Sequence, residues 1–250
     1  MTNQNKAVIM ASFVVFFWAT VATAFKLALA GMNAVTLLLI SSLTALLIFT
    51  LYLAKSRTLY ATLKTLKQKK VLIDTLWQGA MNPFIYYLIL FEGYSLLPAQ
   101  IAQPMNFSWQ IVLIILMAVF MKQKIGLKQV AGVLISFSGI VMLSLNNSAD
   151  ASGKLSLAGI FFILASTVIW AVYWMLKIDN SRDPVEELFR NFLAGSVYLL
   201  IAFGINPQAV ETGISLYAAI YVGVFEMGVT FILWNKALNI ATNRIVVTQM

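Results

Sequence analysis

Long uninterrupted apolar runs, each about 20 residues and therefore long enough to span a bilayer as a helix, constrain this chain more than any motif in it. They fall at Ala7–Leu29, Val35–Leu53, Val71–Phe91, Ala99–Met121, Leu127–Leu145, Leu157–Leu176, Leu188–Ile205 and Leu216–Leu238. Hydrocarbon offers no partner for backbone N–H and C=O groups, so only helices and closed barrels cross it. Barrel strands are ~10-residue alternating segments, and these runs do not alternate. The expected fold class is therefore an all-α integral membrane protein. Charge agrees: 10% of residues are Asp, Glu, Lys or Arg, against about 25% in a soluble domain. The first run follows Lys6 and contains Ala22-Thr23-Ala24, as a signal peptide does. It is too long for one, and reads as an uncleaved first helix.

Basic residues set the orientation. They precede the first run (Lys6) and follow the second (Lys55, Arg57, Lys64, Lys67, Lys69, Lys70) and fourth (Lys122, Lys124, Lys128). They recur after the sixth (Lys177, Arg182, Arg190) and eighth (Lys236, Arg244), whereas the alternate connections carry only Lys26 and Lys154. The positive-inside rule then puts the N-terminus in the cytoplasm. This distribution absorbs most of the net charge of +8, so no nucleic-acid partner is expected; membrane lipid is. In Ser56–Lys70, Leu59, Leu63 and Leu66 stand among lysines. A short amphipathic surface helix and a solvated loop fit that pattern equally. The chain has no Cys and no His, which excludes disulfides, thiolate nucleophiles, imidazole bases and the usual zinc sites. No metal or cofactor is expected.

The sequence also repeats itself. Phe17-Trp18-Ala19 followed by Lys26 returns as Ile169-Trp170-Ala171 followed by Lys177, and Leu90–Leu96 aligns with Trp234–Ile240. The offsets are similar, roughly 150 and 144 positions, and keep their order, which suggests two five-helix units. Five is odd, so the second unit enters the membrane from the opposite side. That is an inverted repeat, with a site expected at the repeat interface near mid-membrane. The expected units are 1–146 and 155–250, the second incomplete. By the same offset its last spans would end near ~265 and ~290, so the sequence reads as a piece of a longer chain.

Polar residues inside apolar runs mark candidate sites. Glu226 lies in Ile220–Leu233, a stretch with no lysine or arginine. An ionisable group in hydrocarbon costs about 2.5–3.5 kcal/mol on insertion scales unless it faces a bundle interior or wet cavity. Desolvation disfavours the charged form of a carboxyl, and an acid held there can exchange a proton with a solute amine. In the third run Asp74, Gln78, Asn82 and Tyr86 recur every four residues on one helical face, with Pro83 permitting a kink. The fourth run carries Gln100, Gln103, Asn106 and Gln110 around Pro104. The repeat offset maps Glu226 onto Asn82. Any single amide reads equally well as interhelical glue or as cavity lining; polar faces on three helices at one depth favour a cavity. Trp18, Trp109, Trp170, Tyr173 and Trp174 lie inside runs rather than only at the interfacial belts. Such rings pack cores, and they also wall cavities for apolar or cationic solutes.

With these residues in view, the chain resembles the drug/metabolite transporter superfamily, specifically its EamA-type ten-helix exporters. The resemblance rests on Phe17-Trp18-Ala19 with Lys26, on Gly132 and Gly139 after Lys122–Ile125, on Trp170-Ala171, and most specifically on Phe231–Leu238. Asn106-Phe107-Ser108-Trp109 is similar to the fourth helix of the aromatic amino acid exporter branch. Gln110 stands where that family's fourth helix has a proline, and Glu226 where a small residue is usual. The resemblance implies two inverted five-helix repeats and a secondary transporter exporting small metabolites, most often amino acids, across the inner membrane by alternating access. The expected substrate-binding residues are Glu226, Asn82, Tyr86, Gln78, Gln103, Asn106, Trp109, Trp170 and Trp18, with no catalytic residue. No Gly-x-x-x-x-Gly-Lys-Ser/Thr run is present, so a gradient drives the movement. The alternatives are a channel or structural membrane protein, and an intramembrane lipid-modifying enzyme. That enzyme would have to work from Glu226, the one acid deep in a run.

Overall fold

The computed structural model describes residues 1–120, 156–177, 182–208 and 212–242, with single positions 122, 131, 132, 135, 138, 139, 142 and 210. The expected fifth span, Leu127–Leu145, lies almost wholly outside these residues, as do Asn146–Gly153 and the last residues, 243–250. Everything regular among the described residues is helix. Among the described residues, six helices are long and apolar enough to cross a membrane: Asn3–Leu29, Ala34–Lys55, Ala99–Phe120, Leu157–Met175, Pro184–Ile205 and Ile214–Ile240.

Local sequence sets the helix starts. Thr2 Oγ1 accepts from the Asn5 N–H at the head of α1 (Asn3–Leu29), and Asn33 Oδ1 accepts from Thr36 at the head of α2 (Ala34–Lys55). Short α3 (Leu59–Thr65) leads to α4 (Lys69–Gly79). The chain then breaks over Ala80–Ile85, where Asn82 is extended (φ −140°, ψ 117°), before α5 (Tyr86–Leu96) resumes. The third apolar run is thus two helices joined by a break. Pro83 offers no N–H to continue the ladder. The fourth run is α6 (Ala99–Phe107) and α7 (Trp109–Phe120), divided at Ser108. Ser156 caps α8 (Leu157–Met175) through the Gly159 N–H. Asp183 caps α9 (Pro184–Ile205) through Val185 and Glu186, with Pro184 in the first turn. Caps of this kind contribute about 1 kcal/mol each. The eighth run is α10 (Ile214–Val222), a π-helical turn over Gly223–Gly228, and α11 (Val229–Ile240).

The chain forms two compact units. The first comprises Met1–Phe84 and Arg182–Met250, the second Ile85–Ser181. Small residues let helices approach closely in both, as expected where lipid removes the hydrophobic drive between helices. In the first unit Ala7, Ala11 and Ala237, each 0% exposed, join α1 to α11. Ser41 Oγ on α2 donates to the Ala219 carbonyl of α10 (2.8 Å). A Cβ at Gly223 would lie 2.5 Å from the Ser41 carbonyl oxygen, so α2 and the π-turn touch backbone to backbone. Phe49 of α2 meets Phe192 of α9 edge to face at 5.2 Å. Where α9 crosses α4, Gly195 faces Pro83 and Gly79 faces Asn191 and Ala194. In the second unit Gly93 of α5 sits against Ile163 of α8, and Gly159 of α8 against Leu97. Large apolar side chains remain exposed along the spans, among them Phe16, Leu51 and Phe120. That is the surface hydrocarbon covers.

Candidate functional site

The second unit gathers an aromatic cluster around Trp170. Its position on α8 follows from Trp170, Tyr173 and Trp174 falling three and four residues apart, on one helical face. Tyr86 of α5 stacks on Trp170 at 4.3 Å and 19°, and Tyr173 at 5.4 Å and 15°. Trp174, Tyr87 and Trp109 of α7 meet Trp170 edge-on at 5.9, 6.3 and 6.5 Å. Trp109 and Trp174 stack on each other at 6.5 Å. Ring pairs of this kind contribute about 0.5–1.5 kcal/mol each beyond burial. Trp170, Tyr86, Tyr87 and Tyr173 are buried, while Trp109 and Trp174 are half-buried. Lys177 places its ammonium 4.7 Å from the Tyr173 ring centre, a cation–π contact at the edge of the cluster.

A polar edge borders the cluster. Asn106 Nδ2 on α6 donates to Tyr86 Oη and to Ser166 Oγ, each at 3.4 Å, and Ser166 donates to the Ile163 carbonyl. Gln103, one turn from Asn106, accepts from the Tyr94 hydroxyl of α5. Four expected site residues, Tyr86, Asn106, Trp109 and Trp170, therefore meet in one cluster, with Gln103 tied to α5 beside them. The cluster thus brings stacked rings and a few polar atoms together on α5, α6, α7 and α8.

The other four expected residues belong to the first unit. Trp18 on α1 lies 5.5 Å from Trp234 on α11. Gln78 Oε1 on α4 accepts from Asn191 Nδ2 on α9 at 3.4 Å. Asn82 is 0% exposed inside the break after α4, and both of its amide atoms are without a hydrogen-bond partner among the described residues. Leaving a buried amide unmatched costs about 1–3 kcal/mol. Glu226 is half-buried in the π-turn, where its carbonyl accepts from Thr230 Oγ1 (2.6 Å). Neighbouring Phe225 stacks on Phe17 of α1 at 4.4 Å. The residues that the repeat offset pairs, Asn82 and Glu226, thus each occupy a helix interruption. Such interruptions free backbone groups and recur at functional sites.

Sequence reasoning did not single out Asn191, Ser166 or Tyr87 as site neighbours. Asn191 falls inside the apolar run Leu188–Ile205, and only the crossing with α4 brings it to Gln78; Asp183-Pro184, a cap followed by proline, starts α9 four residues before Leu188. Ser166 and Tyr87 carry no sequence signal that separates them from ordinary packing. Asp74, at the head of the same polar stripe, pairs with Arg182 at 2.8 Å.

Comparison with known proteins accords with this architecture. A crystal structure of another protein superposes with a TM-score of 0.70 at 19% identity, covering 98% of this chain and 83% of that one. An uncharacterized transporter of Archaeoglobus fulgidus is 23% identical over 90% of this chain and 78% of its own length. Another, encoded in the sor 3' region of Acidianus ambivalens, is 28% identical over 67% of this chain and 69% of its own. The aromatic amino acid exporter YddG of Ancylobacter novellus is 23% identical over 63% of this chain, a match spanning 55% of that relative. The model of the EamA-like transporter family matches twice, over residues 5–145 and 157–248. This multi-pass membrane protein belongs to the EamA-like transporter family, within the drug/metabolite transporter superfamily.

Proposed function

We propose that this chain is a secondary transporter that exports a small metabolite, an amino acid in the first instance, across the inner membrane by alternating access. Its N-terminus lies in the cytoplasm, and its halves, 1–146 and 155–250, act as the two inverted repeats. The observation that carries the reading is the Trp170 cluster with its Asn106–Ser166 edge. Stacked rings suit an apolar or aromatic side chain, and the amide and hydroxyl suit the polar end of an amino acid. The similarity to an aromatic amino acid exporter supports the same substrate class.

Glu226 is the proton-coupling group in this reading. A carboxyl in a helix interruption inside the membrane can load a proton on one side and release it on the other. Asn82, in the matching interruption, is neutral and serves solute or helix instead. Gln78, Gln103 and Trp18 complete the proposed binding residues. The test is Glu226→Gln in proteoliposomes, with substrate flux followed across pH. Gln imitates the protonated acid, so the variant folds normally and transports at every pH as the unaltered chain does at low pH. Glu226→Ala weakens both flux and stability. A Glu226→Gln variant with an unaltered rate and pH profile would show the residue to be structural.

A further inference from the structure

The segment joining α2 to α4 concentrates positive charge with no counter-charge of its own. Lys55, Arg57, Lys64, Lys67, Lys69 and Lys70 are all exposed. The first acidic residue of the chain is Asp74, and Arg182 already engages it at 2.8 Å. None of the six basic side chains makes an ion pair among the described residues. α4 itself opens on Lys69 and Lys70 with no acid in its first turn.

This segment is an ordered element. Thr62 of α3 is 0% exposed and its hydroxyl donates to the Thr58 carbonyl. The turn after α3 is closed by Leu66 N–H to Leu63 O, Lys67 N–H to Lys64 O and Gln68 N–H to Thr65 O. Arg190 of α9, only 3% exposed, donates to Thr65 Oγ1 at 3.3 Å. Four lysines, Lys64 on α3, Lys67 in the turn and Lys69 and Lys70 at the head of α4, thereby surround a turn tied to a membrane-spanning helix. On the same short helix Tyr60 is 79% exposed and Leu63 41%.

We propose that residues 55–70 form a docking surface for anionic phospholipid headgroups. Connectivity puts the segment at the membrane face, because α2 leaves its apolar run just before it and α4 re-enters one just after. Lysines there complement headgroup phosphates, and Tyr60 and Leu63 reach the acyl boundary beside them. A free phosphate ion would satisfy the lysines and leave both apolar side chains in water, which is why the occupant is lipid. Through Thr65 and Arg190, occupancy also bears on α9.

The experiment uses the purified chain in neutral detergent, titrated with phosphatidylglycerol or phosphatidylcholine, and reads retained lipid by native mass spectrometry and melting temperature. Each cation near an anionic surface favours binding by about fivefold. Phosphatidylglycerol is therefore retained over phosphatidylcholine and raises the melting temperature. Replacing Lys64, Lys67, Lys69 and Lys70 together with Gln lowers that preference by at least about tenfold, whereas replacing the same four with Arg preserves it. If the Gln variant does not fold, a salt titration of the unaltered chain decides, since the preference must fall as salt rises. Equal retention of the two lipids, a Gln variant with full preference, a salt-independent preference, or equal stabilisation by inorganic phosphate would each overturn the proposal.

Discussion

Gly195→Ala tests a close helix crossing in the first unit. A Cβ at 195 would lie 2.5 Å from Pro83 Cδ, 2.7 Å from Pro83 Cγ and 3.2 Å from the Gly79 carbonyl oxygen. Carbon atoms rest about 3.5–4.0 Å apart, so α9 and the broken segment must separate by roughly 1 Å. The proline ring has no rotamer into which it can retreat. Overpacking of this kind costs about 1–3 kcal/mol, while Ala recovers about 0.8–1 kcal/mol of helix propensity over Gly. The balance is a loss of up to about 2 kcal/mol. Gly204, nine residues further along the same helix, provides the internal control: a Cβ there meets nothing within 4 Å. Gly204→Ala should therefore stabilise by about 0.5–1 kcal/mol. The assay is unfolding in mixed micelles followed by helical circular dichroism, on both variants in parallel. Opposite signs support the crossing. A Gly195→Ala variant stabilised as much as Gly204→Ala would refute it.

Trp170→Phe should keep the fold and weaken solute affinity several-fold, while Trp170→Ala should also destabilise the chain by about 3–5 kcal/mol, as buried Trp truncations do; binding and melting curves on the same preparations separate the two effects. The Asp74–Arg182 pair is about a third exposed on each side, so either single neutralisation should cost no more than about 1 kcal/mol, and exchanging the two charges should restore the loss. A double-mutant cycle giving a coupling well above that figure would contradict the assignment. A cysteine placed at Gln68 should resist an impermeant thiol reagent in intact cells and react once the membrane is opened; labelling from outside would reverse the proposed topology.

Helix placement was legible because it depends only on the length of apolar runs. The reading Val35–Leu53 became Ala34–Lys55, and Leu157–Leu176 became Leu157–Met175. The third run was the instructive case. Asp74, Gln78, Asn82 and Tyr86 at intervals of four read as one continuous polar face, yet the chain breaks at Asn82. The stripe is consequently shared: Asp74, Gln78 and Asn82 fall in one compact unit, and Tyr86 in the other. Pro83 signalled a kink, but not that the break would divide the units. At the site, periodicity identified polar and aromatic residues on helices, and Tyr86, Asn106, Trp109 and Trp170 do converge. Their partners were hidden, because Tyr94 for Gln103 and Asn191 for Gln78 depend on which helices cross and at what height.

The most direct measurement is solute counterflow in proteoliposomes. Vesicles containing the purified chain are loaded with single unlabelled amino acids and tested for uptake of the labelled species, with Trp170→Ala vesicles as the reference. A secondary transporter of amino acids gives saturable, competable uptake that depends on the loaded solute and collapses in the variant. Uptake equal to that of protein-free vesicles for every amino acid, or a non-saturating leak that ignores the loaded solute, would contradict the account.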